Sequence, residues 1–335
     1  MALSNSPACR LVAVVVTYNR LDKLKVTLER LLESPAEHLE MVVVVDNAST
    51  DGTDAWLAGR SDPRLDVLTS PVNAGGAGGF ALGMQHAMDR HAPDWLVVMD
   101  DDGRPEPGAL AAFHALPEDQ WDAVAAAVYF PSGEICEMNR PSRNPFWHRR
   151  EFLRTLLGGG RSGFHIPPSA YEGEGFGIDV TSFVGFFISA DAVRRIGYPD
   201  PQLFIYGDDG IYTLGLSKAG GRIGFEPSVR FEHDLTSFAG DGTTQAVQRG
   251  RLSPLWKVYY YHRNLLFLYR MAAGGLFWLS LLAIIPKWLL KSRDYGTERR
   301  IFLRLLGRAI LDGVMQRKHL SHDRVMDMAR RPDPD

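Results

Sequence analysis

Cysteine is almost absent from this chain. Its 335 residues hold two, Cys9 and Cys136. That is too few for a disulfide framework, and their spacing does not suit a thiolate metal site, so a reducing compartment is expected. Long apolar runs are missing too. The longest uncharged one, Leu276 to Ile285, falls well short of the roughly 20 residues a helix needs to cross a bilayer. At the N-terminus only Arg10 precedes the apolar run Leu11 to Tyr18, which is too short and wrongly flanked for a signal peptide. There is no internal repeat and no low-complexity tract. A strong overall charge is also lacking: the net is −3, but it is unevenly divided. From residue 241 onward 17 Lys and Arg face 8 Asp and Glu, which leaves 20 basic and 32 acidic residues in 1–240. A basic tail meets nucleic acid or an anionic membrane. This one is rich in Leu, Trp, Phe and Tyr, which favours a membrane surface and argues against nucleic acid.

What is present is an alternation of buried strands and amphipathic helices. Leu11–Val16, Met41–Val45 and Trp95–Met99 are short, continuous apolar runs bounded by turn residues, the pattern of strands buried on both faces, and Leu65–Leu68 reads as a further short strand. Between them, 22–33, 54–59 and about 80–90 carry helical spacing. The expected class is α/β, with a mostly parallel sheet flanked by helices and a C-terminal helical extension. Further strands are expected at 121–130, 181–189, 223–225 and 229–231, and a helix from about 208 to 218. Residues 140–180 have no periodicity and form a long irregular insertion. Residues 240–250 are polar and loop-like. Residues 255–291 and 298–330 form basic, aromatic, amphipathic helices. The boundaries follow: a first domain over 1–240, in halves of about 10–130 and about 131–240 that a family resemblance makes the donor and acceptor halves of a catalytic domain, then 241–335.

Polar groups sit where strands run out: Thr17-Tyr18-Asn19-Arg20, Asp46-Asn47 and Asp100-Asp101-Asp102. In open α/β sheets that edge is where ligands bind. Three adjacent carboxylates repel unless a cation sits among them, and a divalent ion with oxygen ligands suits them. Side-chain alternation along an extended chain directs Asp100 and Asp102 one way and Asp101 the other. The stretch Asn73-Ala-Gly75-Gly76-Ala-Gly78-Gly79 forms a glycine-rich loop, in which the absence of Cβ atoms lets backbone approach a nucleotide or sugar. It also fits the dinucleotide fingerprint G-x-G-x-x-G/A, with Asp100 near the expected acid spacing. However, that fingerprint normally ends the first strand of its unit, and hydride transfer needs no cluster of acids. A second acidic pair, Asp208-Asp209, opens the expected helix at 208, and His233 closes the last strand. At a helix start such a pair also serves as a cap.

In their order and spacing these motifs, from about 10 to 235, strongly resemble the family 2 inverting glycosyltransferases of GT-A fold. The resemblance is greatest to bacterial galactofuranosyltransferases and rhamnosyltransferases that build lipid-linked cell-envelope glycans. The run Tyr259-Tyr260-Tyr261-His262-Arg263-Asn264 resembles the signature that follows their catalytic domain. The resemblance implies a set of roles. Thr17, Tyr18, Asn19, Arg20, Asp46, Asn47, Asn73, Gly75, Gly76, Gly78, Asp100 and Asp101 would bind the UDP- or dTDP-sugar donor. Asp100, Asp102 and His233 would ligate Mn2+ or Mg2+, because a diphosphate does not sit beside bare carboxylates. Asp209 would be the base that takes the acceptor proton, with Asp208 orienting it. The family's third acid, two residues after the pair, is replaced here by Ile211. Phe186 and Phe187, with Phe183, would offer a platform to the acceptor sugar. Trp256, Trp278 and Trp288, with Lys287, Lys291 and Arg293, would lie at a membrane surface or pack on the catalytic body.

The function expected is metal-dependent inverting transfer of galactofuranose, or second rhamnose, to a lipid-linked or polysaccharide glycan acceptor, at the cytoplasmic face of the cell membrane. The rivals are a sugar nucleotidyltransferase of the same fold and a non-catalytic nucleotide- or sugar-binding homologue. The first wants a glycine-rich basic loop after the first strand, and Thr17-Tyr18-Asn19-Arg20 has no glycine.

Overall fold

The computed structural model describes residues 9–235 and 251–330, so the polar stretch expected at 240–250 lies outside the described residues. The chain divides into two compact units. The first holds the residues up to Pro201 together with Tyr212–Asp234, and the second holds Gln202–Ile211 together with the residues from Leu235 onward. Asp208 and Asp209, expected in the acceptor half of the first domain, thus belong to the second unit.

The first unit is built on one sheet in the order β3-β2-β1-β4-β8-β6-β9-β5, with β7 also paired to β9. Strands β1 (Leu11–Thr17), β2 (Met41–Asp46), β3 (Leu65–Thr69) and β4 (Trp95–Asp100) pair in parallel. Every residue of β1 is buried, as suits a strand covered on both faces, and its Val-rich run follows from that. Beyond β4 the sheet is mixed. Strand β8 (Phe186–Ser189) runs antiparallel between β4 and β6 (Ala123–Tyr129). The short β5 (Gly103–Pro105) and β7 (Phe176–Ile178) pair antiparallel with β9. The two short strands expected at 223–225 and 229–231 are one, β9 (Ile223–His233). Its register against β6 shifts between Ala126 and Ala127, where Pro227 cannot donate to the ladder.

The helices of the first unit are α1 (Leu21–Leu32), α2 (Thr53–Ala58), α3 (Gly75–His91), α4 (Ala109–His114), α5 (Arg149–Arg154) and α6 (Ala190–Ile196). The expected glycine loop at 73–79 is largely helix, since α3 begins at Gly75. The reason is packing. A Cβ on Gly79 would stand 2.5 Å from Val16 Cγ1, and one on Gly83 would stand 2.5 Å from Val14 Cγ1 and 2.8 Å from Val45 Cγ2. These glycines bring α3 down onto the sheet rather than clearing space for a ligand.

The chain continues through α7 (Asp208–Lys218), whose first turn belongs to the second unit and whose remainder belongs to the first. The rest of the second unit is α8 (Lys257–Ala273), α9 (Phe277–Lys291), α10 (Arg299–Val314) and α11 (His322–Ala329). α8 and α10 approach closely because a Cβ on Gly313 would meet Leu266 Cδ1 at 2.6 Å. Tyr259 donates to Asp312 Oδ2 at 2.8 Å from one side, and Arg308 Nε donates to the same oxygen at 2.7 Å from another.

Gly83→Val should cost about 1–3 kcal/mol, the range for overpacking a close-fitted interior. Chemical denaturation of the variant would measure it, and an unchanged midpoint would contradict the packing role given to this glycine.

Candidate active site

The Asp triplet closes β4, and the strand ends at Asp100. Strict alternation therefore does not carry through the triplet. Asp101 and Asp102 converge on one guanidinium instead: Arg20 Nη1 lies 3.2 Å from Asp101 Oδ1 and 2.6 Å from Asp102 Oδ2. Arg20 arrives there because it stands between the end of β1 and the start of α1, and β1 pairs in register with β4. Asp101 is held on every side. Thr17 Oγ1 donates to its Oδ2 at 2.7 Å, its backbone N–H donates to Val16 O, and its carbonyl accepts from Thr27 Oγ1 at 2.7 Å. A residue expected to bind the donor is thus engaged in fixing the loop that carries Arg20.

His233 reaches the triplet through the sheet. β5 pairs with β9 so that Gly103 faces His233, and the Asp234 N–H donates to Asp102 O at 2.8 Å. His233 Nε2 lies 3.2 Å from Asp102 Oδ1, and Nδ1 lies 2.7 Å from Asn139 Oδ1. Burial opposes charge on this ring. The hydrogen bonds to Asp102 and Cys136 and the charges of Asp102 and Asp100 outweigh it, and its pKa rises to about 9. Asn139 Oδ1 and Asp102 Oδ1 are both acceptors, so the ring's two contacts suit an imidazolium with both nitrogens donating. Asn139, itself tied to Ser182 Oγ at 2.8 Å, is a partner that no sequence motif indicated.

The electrostatics of the cluster are lopsided. Burial, then the charges of Asp102 and Asp101, push Asp100 up to about 7. Burial also pushes Asp101 up to about 6, although Arg20 opposes it. Asp102 is the exception: burial would raise it, but His233 and Arg20 hold it low. Buried acids with raised pKa values beside an ionised partner are a set that a divalent cation would relieve. The donor set fits such an ion, two carboxylates and an imidazole that must first give up its proton. Yet the three are not gathered as a ready cage. Among the described residues, the one trio of carboxylate and imidazole ligand atoms lying within 4.8 Å of one another is elsewhere, at Asp66, His86 and His91.

At the end of β2 the Asp46 carboxylate is buried. Its Oδ1 accepts from the Ser49 N–H at 2.9 Å, while Oδ2 has no hydrogen-bond partner. A buried unpaired acceptor is costly unless a ligand fills it. Tyr18 is 44% exposed nearby in sequence, after the end of β1. Asn19, at φ 53°, accepts from the Thr50 N–H at 2.6 Å and so joins the β1 and β2 loops. Asn47 is used up internally: Oδ1 accepts from the Ala74 N–H, and Nδ2 faces Asn73 Oδ1 and Gly75 O. Asn47, Asn73 and Gly75 thereby build the entry to α3. Gly78 lies inside α3, where a Cβ would meet Ala74 Cβ at 2.5 Å, and Gly76 lies in its first turn.

Phe186 and Phe187 are corrected. Both are fully buried on β8, in mid-sheet; Phe187 stacks on Phe113 at 4.2 Å and Phe186 on Phe183 at 5.8 Å. They are core, and no acceptor sugar can reach them.

In the second unit, Asp208 and Asp209 occupy the first turn of α7, where the helix dipole favours acids. Burial raises Asp209 to about 6, against the hydrogen bond from the Gly210 N–H at 2.6 Å. The loop before them is strained. Phe204 and Tyr206 are non-glycine residues at φ 66° and 69°, conformations that cost of order 1–3 kcal/mol each. The Tyr-rich run on α8 holds that loop. Asn264 Nδ2 lies 3.0, 3.0 and 2.8 Å from the carbonyls of Leu203, Ile205 and Tyr206. Arg263 Nη2 donates to Gln202 O at 2.8 Å, and its Nε donates to Asn264 Oδ1 at 2.9 Å, which fixes the amide's orientation. Phe204 packs against both Tyr260 and His322, at 4.8 and 4.2 Å, and these two rings also lie against each other at 5.9 Å. The signature was visible in the sequence, but its grip on the backbone before Asp208 was not.

Comparison with known proteins defines the class. Residues 12–171 match the sequence model of the family described as Glycosyl transferase family 2. The match spans just under half of the chain, which resembles that family through it. Among curated relatives, galactofuranosyltransferase GlfT1 of Mycolicibacterium smegmatis is 32% identical over 206 residues, 59% of this chain and 62% of that protein. GlfT1 of Mycobacterium tuberculosis is 31% identical over 205 residues, 59% of this chain and 61% of that protein. An undecaprenyl-phosphate mannosyltransferase of Micrococcus luteus is 30% identical over 151 residues, 44% of this chain and 60% of that protein. The chain thus matches about three fifths of the length of these relatives. The crystal structure of GalNAc-T7 with UDP, GalNAc and Mn2+ superimposes at a TM-score of 0.51 and 14% identity, over 94% of this chain and 59% of that one. At that identity the likeness speaks to the fold, which is GT-A.

Asn264→Ala should free the loop before Asp208. Leaving those carbonyls unsatisfied costs about 1–3 kcal/mol, roughly a tenfold to hundredfold loss in turnover. Steady-state kinetics with UDP affinity measured alongside would check it. A loss of donor affinity with turnover intact would contradict a role confined to the loop.

Proposed function

We propose that this chain is a divalent-metal-dependent inverting glycosyltransferase. It moves a sugar from a UDP- or dTDP-sugar to a hydroxyl of a lipid-linked or polysaccharide glycan acceptor in cell-envelope synthesis. Galactofuranose is the first choice of sugar and rhamnose the second; the curated relatives named for galactofuranosyl transfer support that order. The observation that carries the reading is a buried acid cluster with a mobile-length cation, Arg20, lying across Asp101 and Asp102 in a domain that resembles this family.

In this reading Asp46 Oδ2 accepts a hydrogen bond from the base N–H or a ribose hydroxyl of the donor, and Tyr18 stacks on the base. Asp102, Asp100 and His233 would hold Mn2+ or Mg2+, which supplies positive charge to the departing diphosphate. His233 gives up its Nε2 proton on taking that role. Arg20 leaves the carboxylates and turns its charge to the diphosphate. Asp209 takes the acceptor proton as the hydroxyl attacks the anomeric carbon, and Asp208 orients the acceptor. The assignment of Asp209 to the same reaction as the acid triplet rests on the family's motif order.

The membrane surface is the proposed partner of α9. Trp278, Leu279, Leu282, Leu289 and Leu290 are exposed there, with Lys287 and Arg293 alongside. The sequence reading expected no span, whereas Lys257–Val314 contains an 18-residue window long and apolar enough to cross a membrane, of which only 17% is buried. The individual helix is shorter: the 15 residues of α9 extend about 22 Å, less than the ~30 Å hydrocarbon core. Lying in the interface at the cytoplasmic face fits that length better than crossing. Of the three tryptophans assigned to the surface, Trp288 is buried against His262.

A panel of UDP- and dTDP-sugars assayed for nucleotide release tests the reading. Asp209→Asn should keep donor binding and lose turnover; retained turnover would remove it as the base. A carboxylate base is active only when ionised, so wild-type kcat/KM should fall as pH drops through about 6, the raised value of Asp209. A profile flat down to pH 5 would contradict it. Leu279→Ser with Leu282→Ser should shift the protein from anionic vesicles to the supernatant on sedimentation. Undiminished pelleting would exclude α9 as the contact.

A further inference from the structure

We propose that Asp66, His86 and His91 form a second metal site, for a zinc-type transition-metal cation, distinct from the carboxylate cluster at the end of β4. Asp66 lies on the edge strand β3, and His86 and His91 lie in the last turns of α3. Both imidazoles point Nε2 at the same oxygen, at 2.7 and 2.8 Å from Asp66 Oδ2. All three ligand atoms lie within 4.8 Å of one another. The side chains are 29%, 26% and 14% exposed, so a cation can reach them from solvent while protein surrounds most of each ring.

The placement follows from the sheet. Asp66 pairs in register with Val43, and alternation puts Asp66 and Leu68 on the same side of β3. A spacing of five residues along α3 sets His86 and His91 somewhat over one turn apart, with ring centroids 5.9 Å from each other, far enough to flank one ion. Without a cation the Asp66 carboxylate serves as the shared acceptor.

The ligand chemistry separates this site from the other. Two imidazole nitrogens and one carboxylate suit Zn2+ and its neighbours, with a fourth position left for water, whereas an acid-rich cluster suits Mn2+ or Mg2+. Each Nε2 faces an acceptor oxygen and so carries a proton; on binding that proton is released to solvent, Nδ1 holds the one the neutral ring keeps, and the Nε2 lone pair faces the ion. The ion would tie the exposed edge strand to the end of α3, whose shared carboxylate is at present the tie between them.

The test uses the untagged full-length chain, stripped with chelator and dialysed. CoCl2 is titrated with visible absorption recorded, and ZnCl2 is titrated by calorimetry. The expected result is one equivalent of Zn2+, a cobalt spectrum of four-coordinate intensity, and a Zn2+-dependent rise in Tm. His91→Gln and Asp66→Asn should weaken binding roughly tenfold or more and remove the Tm rise, with unchanged far-ultraviolet circular dichroism. Asp102→Asn should leave all three signals in place, which separates this site from the donor site whatever the fate of the transferase reading. Absence of binding, a cobalt spectrum of weak six-coordinate type, or an equivalent of Zn2+ that persists in His91→Gln would overturn the proposal. The cobalt spectrum of the wild type decides the matter even where a variant loses its fold.

Discussion

Three carboxylates at the end of one strand repel each other, and the first unit's site is organised around containing that repulsion. Arg20 spans two of them from the β1 end, His233 faces Asp102 from across the sheet, and Thr17 occupies Asp101. The partners come from two strand ends, those of β1 and β9, and each depends on the parallel register of β1 with β4 or the antiparallel register of β5 with β9. The containment is incomplete. Asp100 stays raised to about 7 and Asp101 to about 6. A site left with buried, reluctantly ionised acids is one whose energy improves when a multivalent cation and its anionic ligand arrive together.

The second unit handles a different difficulty, a strained loop. Two aromatic residues at positive φ precede Asp208, and they persist because Asn264 and Arg263 take the loop's carbonyls while Phe204 packs against Tyr260 and His322. Strain held in place by a surrounding network is characteristic of positions where geometry matters. The Tyr-Tyr…Arg-Asn signature, which in the sequence looked like a mark following the catalytic domain, is the clamp on the backbone leading to the acid pair. Its distance along the chain, 58 to 61 residues from the carbonyls it grips, hid that function.

Much of the fold was legible because its central strands are continuous Val-rich runs and its helices carry a plain apolar stripe. The acid triplet, His233 and the pair at 208–209 were legible as motifs in order. What failed shares one cause: the meaning of a residue was set by what packs against it. Gly79 looks like ligand clearance, but it makes room for the Val16 side chain, as Gly83 does for Val14 and Val45. Phe186 and Phe187 look like a sugar platform, but antiparallel insertion of β8 into the sheet makes them core. Asp101 looks like a donor ligand, but the chain leaves the strand at Asp100 and turns it onto Thr17 and Arg20. Asp66, His86 and His91 were unmarked because a strand and a helix bring them together across twenty-five residues.

The central claim is that the triplet and His233 hold a donor diphosphate through a divalent cation, with Arg20 standing over the carboxylates until it arrives. Calorimetric titration of UDP into the chelator-stripped protein, with and without added Mn2+, tests it most directly. The account predicts binding that needs Mn2+ in the wild type and is lost in Asp102→Asn. UDP binding of equal affinity in the absence of any divalent cation would contradict it.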